Sequence, residues 1–236
     1  MINSSIIVSC QVTLRLGETR DVVLGLKDQK NYLKKGSDFS FMEREFLDYS
    51  CKNGMLKLSY ASDELFEPPV LFNLKGHGVG NIEDHNLTVY SDHFLWDERS
   101  YHVAGTPMDF RDETPIGERI RMGYEPLVQM GGYDHIFLLD HDQQGQYGST
   151  ISSSQNLKHA AVLMDRMRTL QMDVYTSFPA LYIYTGNHMT GRDIGKGGCI
   201  YPHRGGIALM PCDPFAIKAK EKTSGIVHYC FTPLSF

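Results

Sequence analysis

Glycine, proline and asparagine cut this sequence into short apolar runs. None sustains a 3.6-residue period long enough for the crossover helices of a parallel sheet. Residues 6–16 (Ile-Ile-Val-Ser-Cys-Gln-Val-Thr-Leu-Arg-Leu) mostly alternate and are rich in β-branched side chains, the pattern of a half-buried strand. Residues 55–60 follow the turn pair Asn53-Gly54, and residues 86–90 (Asn-Leu-Thr-Val-Tyr) give another strand. Residues 135–139 (His-Ile-Phe-Leu-Leu) are apolar enough for a buried strand, and 160–164 give one more. Residues 172–184 divide into two strands near Pro179, because proline cannot donate to a central ladder. Residues 205–210 and 226–232 complete the set, and only 39–46 and 116–122 suggest short helices. Strands at such short, regular intervals predict an all-β fold, a large antiparallel β-sandwich, as a single domain over residues 1–236.

Composition narrows the partners. The 23 basic and 28 acidic side chains leave a net charge of −5, which argues against a nucleic-acid partner that would require a basic face. No stretch approaches the roughly 20 apolar residues of a membrane span, so no membrane partner is expected. The first residues lack a basic n-region, so no signal peptide is assigned. Five cysteines without a C-x-x-C pair read as free thiols in a reducing, cytoplasmic setting rather than as a zinc ribbon.

Polar groups concentrate in residues 131–142, Gly-Gly-Tyr-Asp-His-Ile-Phe-Leu-Leu-Asp-His-Asp. Asp134 and His135 stand at a glycine turn before an apolar strand. An ionised carboxylate there can accept hydrogen bonds from vicinal hydroxyls, or from its own turn backbone. Asp140-His141-Asp142 reads as a solvated loop rather than a metal site, since adjacent strand residues face opposite ways. His77, His85 and His93 recur every eight residues, but Gly76, Gly78 and Gly80 break any strand that would align them. There is no Gly-x-Ser-x-Gly elbow, and Gly195-Lys-Gly-Gly lacks the spacing and hydroxyl of a phosphate loop. Tyr182 and Tyr184 share one strand face, which suits either sheet packing or the apolar face of a pyranose.

Taken in order, these segments resemble the aldose 1-epimerase (galactose mutarotase) family. Asp21-Val-Val-Leu-Gly-Leu with Asn31-Tyr-Leu resembles the family's early DVVLGF and YL stretches. Gly105-Thr-Pro-Met-Asp-Phe-Arg111 and Thr114-Pro-Ile-Gly-Glu-Arg-Ile120 are similar to GTPFDFR and TPIGERI. Gly132-Tyr-Asp-His135 matches GYDH, and Pro179-Ala-Leu-Tyr-Ile-Tyr-Thr-Gly-Asn187 resembles PGLQFYTGN. Gly195-Lys-Gly and Tyr201-Pro-His match the following loop, so the resemblance runs from about residue 12 to 216. It implies an antiparallel supersandwich carrying an aldohexose in an open cleft on one sheet. It also implies interconversion of α and β anomers by a general acid and a general base, with no cofactor and no metal. The sugar-binding residues it implies are Asp134, His135, Tyr182 and Asn187.

Departures from the family pattern fall on the catalytic positions. The family's acid, a histidine in N-H-x-Y-F-N-L, corresponds to Pro69 in Pro68-Pro-Val-Leu-Phe-Asn-Leu74 or to a deletion, and its basic glutamate in G-F-C-L-E corresponds to Met210. A thioether cannot take a proton. The glutamine of PGLQFYTGN corresponds to Tyr182, and a second histidine and an arginine have no counterpart in the chain, which is shortened between about residues 33 and 72. The expectation is a carbohydrate-binding member with catalysis lost or severely reduced. The alternatives are a working mutarotase using Asp213, His77 or His188 as replacements, and a non-enzymatic interaction protein or incomplete gene product.

Overall fold

The computed structural model describes residues 11–14, 18–24, 48–52, 55–62, 70–139, 157–195, 198–219 and 225–234. Every strand pairing among them is antiparallel. A six-stranded sheet runs in the order β5 (Leu71–Phe72), β16 (Ile207–Cys212), β13 (Ala180–Tyr184), β10 (Asp134–Leu138), β7 (His93–Trp96), β8 (Arg99–His102). A seven-stranded sheet runs β3 (Asp48–Lys52), β4 (Met55–Ser62), β17 (Gly225–Pro233), β12 (Leu170–Thr176), β11 (Lys158–Met164), β6 (Asn86–Val89), β9 (Thr114–Pro115). Two small ribbons, β1 (Gln11–Thr13) with β2 (Thr19–Asp21) and β14 (Asp193–Ile194) with β15 (Ile200–Tyr201), lie outside the two large sheets. Three short helices, α1 (Ile116–Arg119), α2 (Glu125–Met130) and α3 (Pro214–Ala219), complete the described elements.

The two large sheets pack face to face because each strand alternates. In β13, Leu181 and Ile183 point inward with Phe137 of β10, Leu209 of β16 and Phe72 of β5, and all are buried. They meet Val174, Val227, Tyr229 and Phe231 from the seven-stranded sheet. Phe72 spans the interface, its ring centroid 5.0 Å from Tyr229 and 5.9 Å from Phe231. The Tyr229 hydroxyl donates to the Leu209 carbonyl at 2.7 Å, so this buried hydroxyl is satisfied.

The expected division at Pro179 is observed as the break between β12 and β13, and 116–122 holds the single turn α1. The β7–β8 hairpin and α2 are additions. The hairpin turns at Asp97 and Glu98, both at positive φ (49° and 62°), without the glycine or asparagine that usually marks such a turn. Helix α2 carries Pro126 near its start and Gly131 in the left-handed region at its end, with the Gly131 N–H returning to the last turn. Trp96 sits half-buried against the core on β7. The expected helix at 39–46, the turn Asn53-Gly54, Pro69 and Asp140-His141-Asp142 lie outside the described residues, as does most of the strand expected at 6–16.

Because Phe72 joins both sheets, Phe72→Ala should cost about 3–5 kcal/mol of stability. A drop in the urea midpoint at unchanged slope would report it, and a loss below about 1 kcal/mol would mean that the sheets are not packed through this ring.

Candidate functional site

Alternation that buries Leu181, Ile183 and Leu209 sends their neighbours to the outer face of the six-stranded sheet. Tyr182 pairs directly with Ile136 on β10 and with Met210 on β16, while Asp134 pairs with Tyr184. The outer face thus holds Asp134, Tyr182, Tyr184, Met210 and Cys212 together. Next to them is a small apolar cluster of Leu24, Leu71, Met189, Tyr201 and Ala208, with Cys199 packed against it. Gly195 lets the β14–β15 ribbon close over this cluster. A Cβ there would fall within the ring of Tyr201, at 2.1 Å from its nearest carbon.

Asp134 and Tyr182 are diagonal neighbours, and the tyrosine is long enough to lean across. Its phenol donates a short hydrogen bond to Oδ1 of Asp134. Burial raises the Asp134 carboxyl above its ordinary value, against the lowering effects of the Tyr182 hydrogen bond and the charge of nearby His188. Burial, then the Asp134 charge, push the Tyr182 phenol well above the usual tyrosine range, so the shared proton stays on the phenol. Burial and the charge of Asp213 push the Cys212 thiol up to about 12, leaving no thiolate nucleophile at neutral pH. Among the described outer-face groups, the carboxylate can accept a proton or a ligand hydroxyl, the phenol can donate, and the Met210 thioether can do neither.

The turn that presents Asp134 is clamped by Asn187 and Arg204. Asn187 donates through Nδ2 to the Tyr133 carbonyl at 2.9 Å and accepts the Thr185 hydroxyl at 2.7 Å. Its Oδ1 presses against Gly132, where φ is +146° and a Cβ would lie 2.2 Å away. Arg204, itself buried, donates to the Gly131 carbonyl at 2.8 Å and to Glu83 at 2.7 Å. Glu83 also pairs with Arg121. These two arginines hold its carboxyl below the usual range although burial alone would raise it. Asn73 acts similarly beyond β5, donating to the Gly205 carbonyl at 3.0 Å and accepting the Lys75 N–H at 3.1 Å.

The structure brings together Asp134 and Tyr182 of the four expected sugar contacts. His135 lies on the opposite face of β10, buried between Phe94 and Trp96 with ring centroids 6.1 and 5.3 Å away, and burial holds it down to about 4. Asn187 faces backbone rather than the outer sheet face. Of the replacement candidates, Asp213 is committed to capping α3, where Oδ1 accepts the N–H groups of Phe215 and Ala216. His77 lies in the turn after β5, where its backbone N–H donates to the Asp21 carbonyl at 2.7 Å. His188 is exposed beside Tyr184, whose hydroxyl accepts the His188 backbone N–H at 3.1 Å, and its charge reaches Asp134. His85, in the eight-residue histidine series, is buried. Its Nε2 accepts the Leu74 N–H at 3.1 Å and its Nδ1 faces Asp84, which is a structural use. The Glu83–Arg204 pair was not foreseen, and nothing local marks it.

The family model for aldose 1-epimerase matches residues 70–222, a span that contains the whole six-stranded sheet. The chain belongs to the aldose 1-epimerase family. Galactose mutarotase of Sus scrofa is 27% identical over 177 residues, covering 70% of this chain and 47% of that protein. Aldose 1-epimerase of Escherichia coli (strain K12) is 32% identical over 147 residues, covering 59% and 38%. The chain spans about half the length of the curated relatives it matches. The crystal structure of galactose 1-epimerase from Lactobacillus acidophilus NCFM superposes with a TM-score of 0.53 at 25% identity, over 77% of this chain and 54% of that one. The GalM/aldose epimerase homologue from C. elegans gives a TM-score of 0.60 over 98% of this chain and 94% of that one, at 12% identity, a likeness of fold alone.

The buried, neutral His135 supplies a pH signature. Its folded value of about 4 is below its ordinary 6.5, so its contribution to stability is complete above about pH 6.5 and is lost as pH falls through about 4. His135→Leu should make the fall in urea midpoint over that window shallower, by at most about 3 kcal/mol across it. His85, lowered in the same direction by burial, should supply a residual slope. An unchanged pH profile in the variant would place His135 in water rather than in the core.

Proposed function

We propose that this chain is a carbohydrate-binding aldose 1-epimerase family member that takes an aldohexose on the outer face of its six-stranded sheet, with mutarotation weak or absent. The observation that carries the reading is the pairing of Asp134 and Tyr182 beside Met210. The one carboxylate expected to receive sugar hydroxyls is on that face, and the position expected to hold the base is a thioether. General acid–base catalysis at an anomeric centre needs two groups that exchange protons near neutrality. A phenol raised far above neutrality and a methionine do not make such a pair. The proposal extends to one domain over residues 1–236, shortened between about 33 and 72, working in the cytoplasm with Cys199, Cys212 and Cys230 as free thiols.

In this reading a sugar ring lies against the Tyr182 and Met210 side chains, its hydroxyls donating to Asp134. Millimolar affinity corresponds to about 4 kcal/mol, in line with one charged acceptor and a limited apolar contact. A second reading is favoured by the nearness of His188 to Asp134. In it His188 delivers a proton to the ring oxygen while Asp134 takes the anomeric proton, and slow mutarotation survives.

The test is the equilibration of freshly dissolved α-galactose followed by polarimetry, with sugar binding followed by NMR in the same sample. The expected result is galactose binding that Asp134→Ala removes, with equilibration at the buffer rate. Equilibration well above the buffer rate, abolished by Asp134→Ala and reduced about 10²-fold or more by His188→Gln, would replace the first reading with the second.

A further inference from the structure

We propose that Tyr182 is an internal competitor for the sugar site: its phenol occupies Oδ1 of Asp134 in the place of a ligand hydroxyl and sets which polyols the site accepts. This inference rests on the carbohydrate-binding reading above and concerns the regulation of that same face.

The geometry leads there in three steps. Tyr182 is fixed between two direct strand neighbours, Ile136 on one side and Met210 on the other, both on its own face. Neither offers a hydrogen bond, so among the described residues the phenol's hydrogen-bond partner lies along the diagonal, at Asp134. The contact is charge-assisted and half-buried, the kind that is stronger than a neutral hydrogen bond and is not given up to water without cost. Next, the Tyr184 hydroxyl accepts the His188 N–H at 3.1 Å, while the phenol that bonds Oδ1 of Asp134 is that of Tyr182. Finally, recognition of two adjacent hydroxyls by one carboxylate uses both oxygens, and here one acceptor site of Oδ1 is held by the phenol. A ligand with vicinal hydroxyls must therefore share Oδ1 with the phenol or displace it.

Met210 sharpens the consequence. A carboxylate at that position would itself compete for the Tyr182 hydroxyl from the other side. A thioether is at best a weak acceptor, so the phenol is left to Asp134. The residues at 182 and 210 thus act together. The ligand class this favours presents an apolar ring face to Tyr182 and Met210 and only one hydroxyl donor to Asp134. An aldohexose with two donors binds there with its affinity lowered by the Tyr182–Asp134 bond that it must share or displace.

The test is galactose titration by NMR of the wild-type chain, Tyr182→Phe, Tyr182→Gln, Asp134→Ala and the double variant Tyr182→Phe/Asp134→Ala. It is run at about pH 8 so that Asp134 is ionised in every chain that keeps it. Tyr182→Phe keeps the ring and removes only the competing hydroxyl. The Asp134 carboxyl carbon is titrated alongside. It should titrate higher in Tyr182→Phe, because a lowering hydrogen bond is gone.

The expected result is galactose affinity on the order of tenfold higher in Tyr182→Phe than in the wild type, with the gain absent from the double variant. Tyr182→Gln, which brings an amide in place of the phenol, should also bind more tightly, and it carries the test if the phenylalanine variant does not melt cooperatively. Asp134→Ala abolishing binding while both Tyr182 variants bind no better than wild type overturns the inference and leaves the sugar-binding reading standing. Asp134→Ala without effect on wild-type binding overturns the reading and the inference with it. Tyr182 variants that bind no galactose at all overturn the inference directly, because freeing the carboxylate would then have created no site.

Discussion

The register of β10, β13 and β16 is the constraint on which the rest depends. With Tyr182 opposite both Ile136 and Met210, and Asp134 opposite Tyr184, one face of three strands receives a carboxylate, two phenols and a thioether. The other receives Phe137, Leu181, Ile183 and Leu209. A slip of one residue in β10 would exchange its faces and bury Asp134 among the leucines. The cost of exposing the inner set to water, summed over several fully buried side chains at about 1.5–3 kcal/mol each, fixes the register. The site is therefore a by-product of core formation: what cannot be inside is presented outside, in rows.

Register sets the faces but leaves the strand ends to be aimed, and here the polar clamps act. Asn187 and Arg204 come from the far ends of β13 and from the turn before β16, yet both bond to the glycine turn ahead of Asp134. Their targets are backbone carbonyls, which hold position whatever side chain follows. The family's motif thus has a structural use that does not depend on its chemistry. The Tyr-Thr-Gly-Asn stretch is needed to seat Gly131 to Tyr133, and Phe72-Asn73-Leu74 is needed to join the sheets and tie down the turn after β5. Retention of these residues says little by itself about whether a sugar is turned over.

Much of the fold was legible in the sequence because two simple signals, alternation and proline, mark strands and their ends. The break at Pro179 and the apolar run of β10 are examples. The β7–β8 hairpin was not legible, because Asp97 and Glu98 adopt a turn conformation that their residue types rarely announce. At the site, the same alternation that placed Tyr182 and Tyr184 together also separates Asp134 from His135. Treating that adjacent pair as joint sugar contacts conflicted with strand geometry, and the buried position of His135 against Trp96 is what alternation requires. Asn187 could have been either a ligand or a turn residue, and only its Tyr133 partner distinguishes them. The Arg204–Glu83 pair links residues far apart in the chain, and no local pattern encodes that.

The outer face of β10, β13 and β16 is the proposed sugar-binding surface. The methyl groups of the methionines are placed to report on it: Met210 lies on that face, Met172 lies in the core between the sheets, and Met167 is exposed elsewhere. A galactose titration of methyl-labelled methionine, read by carbon–proton NMR, tests the claim most directly. The account predicts that the Met210 methyl signal moves saturably while those of Met172 and Met167 stay. A saturable shift confined to Met167, or sugar binding that leaves Met210 unmoved, would contradict it.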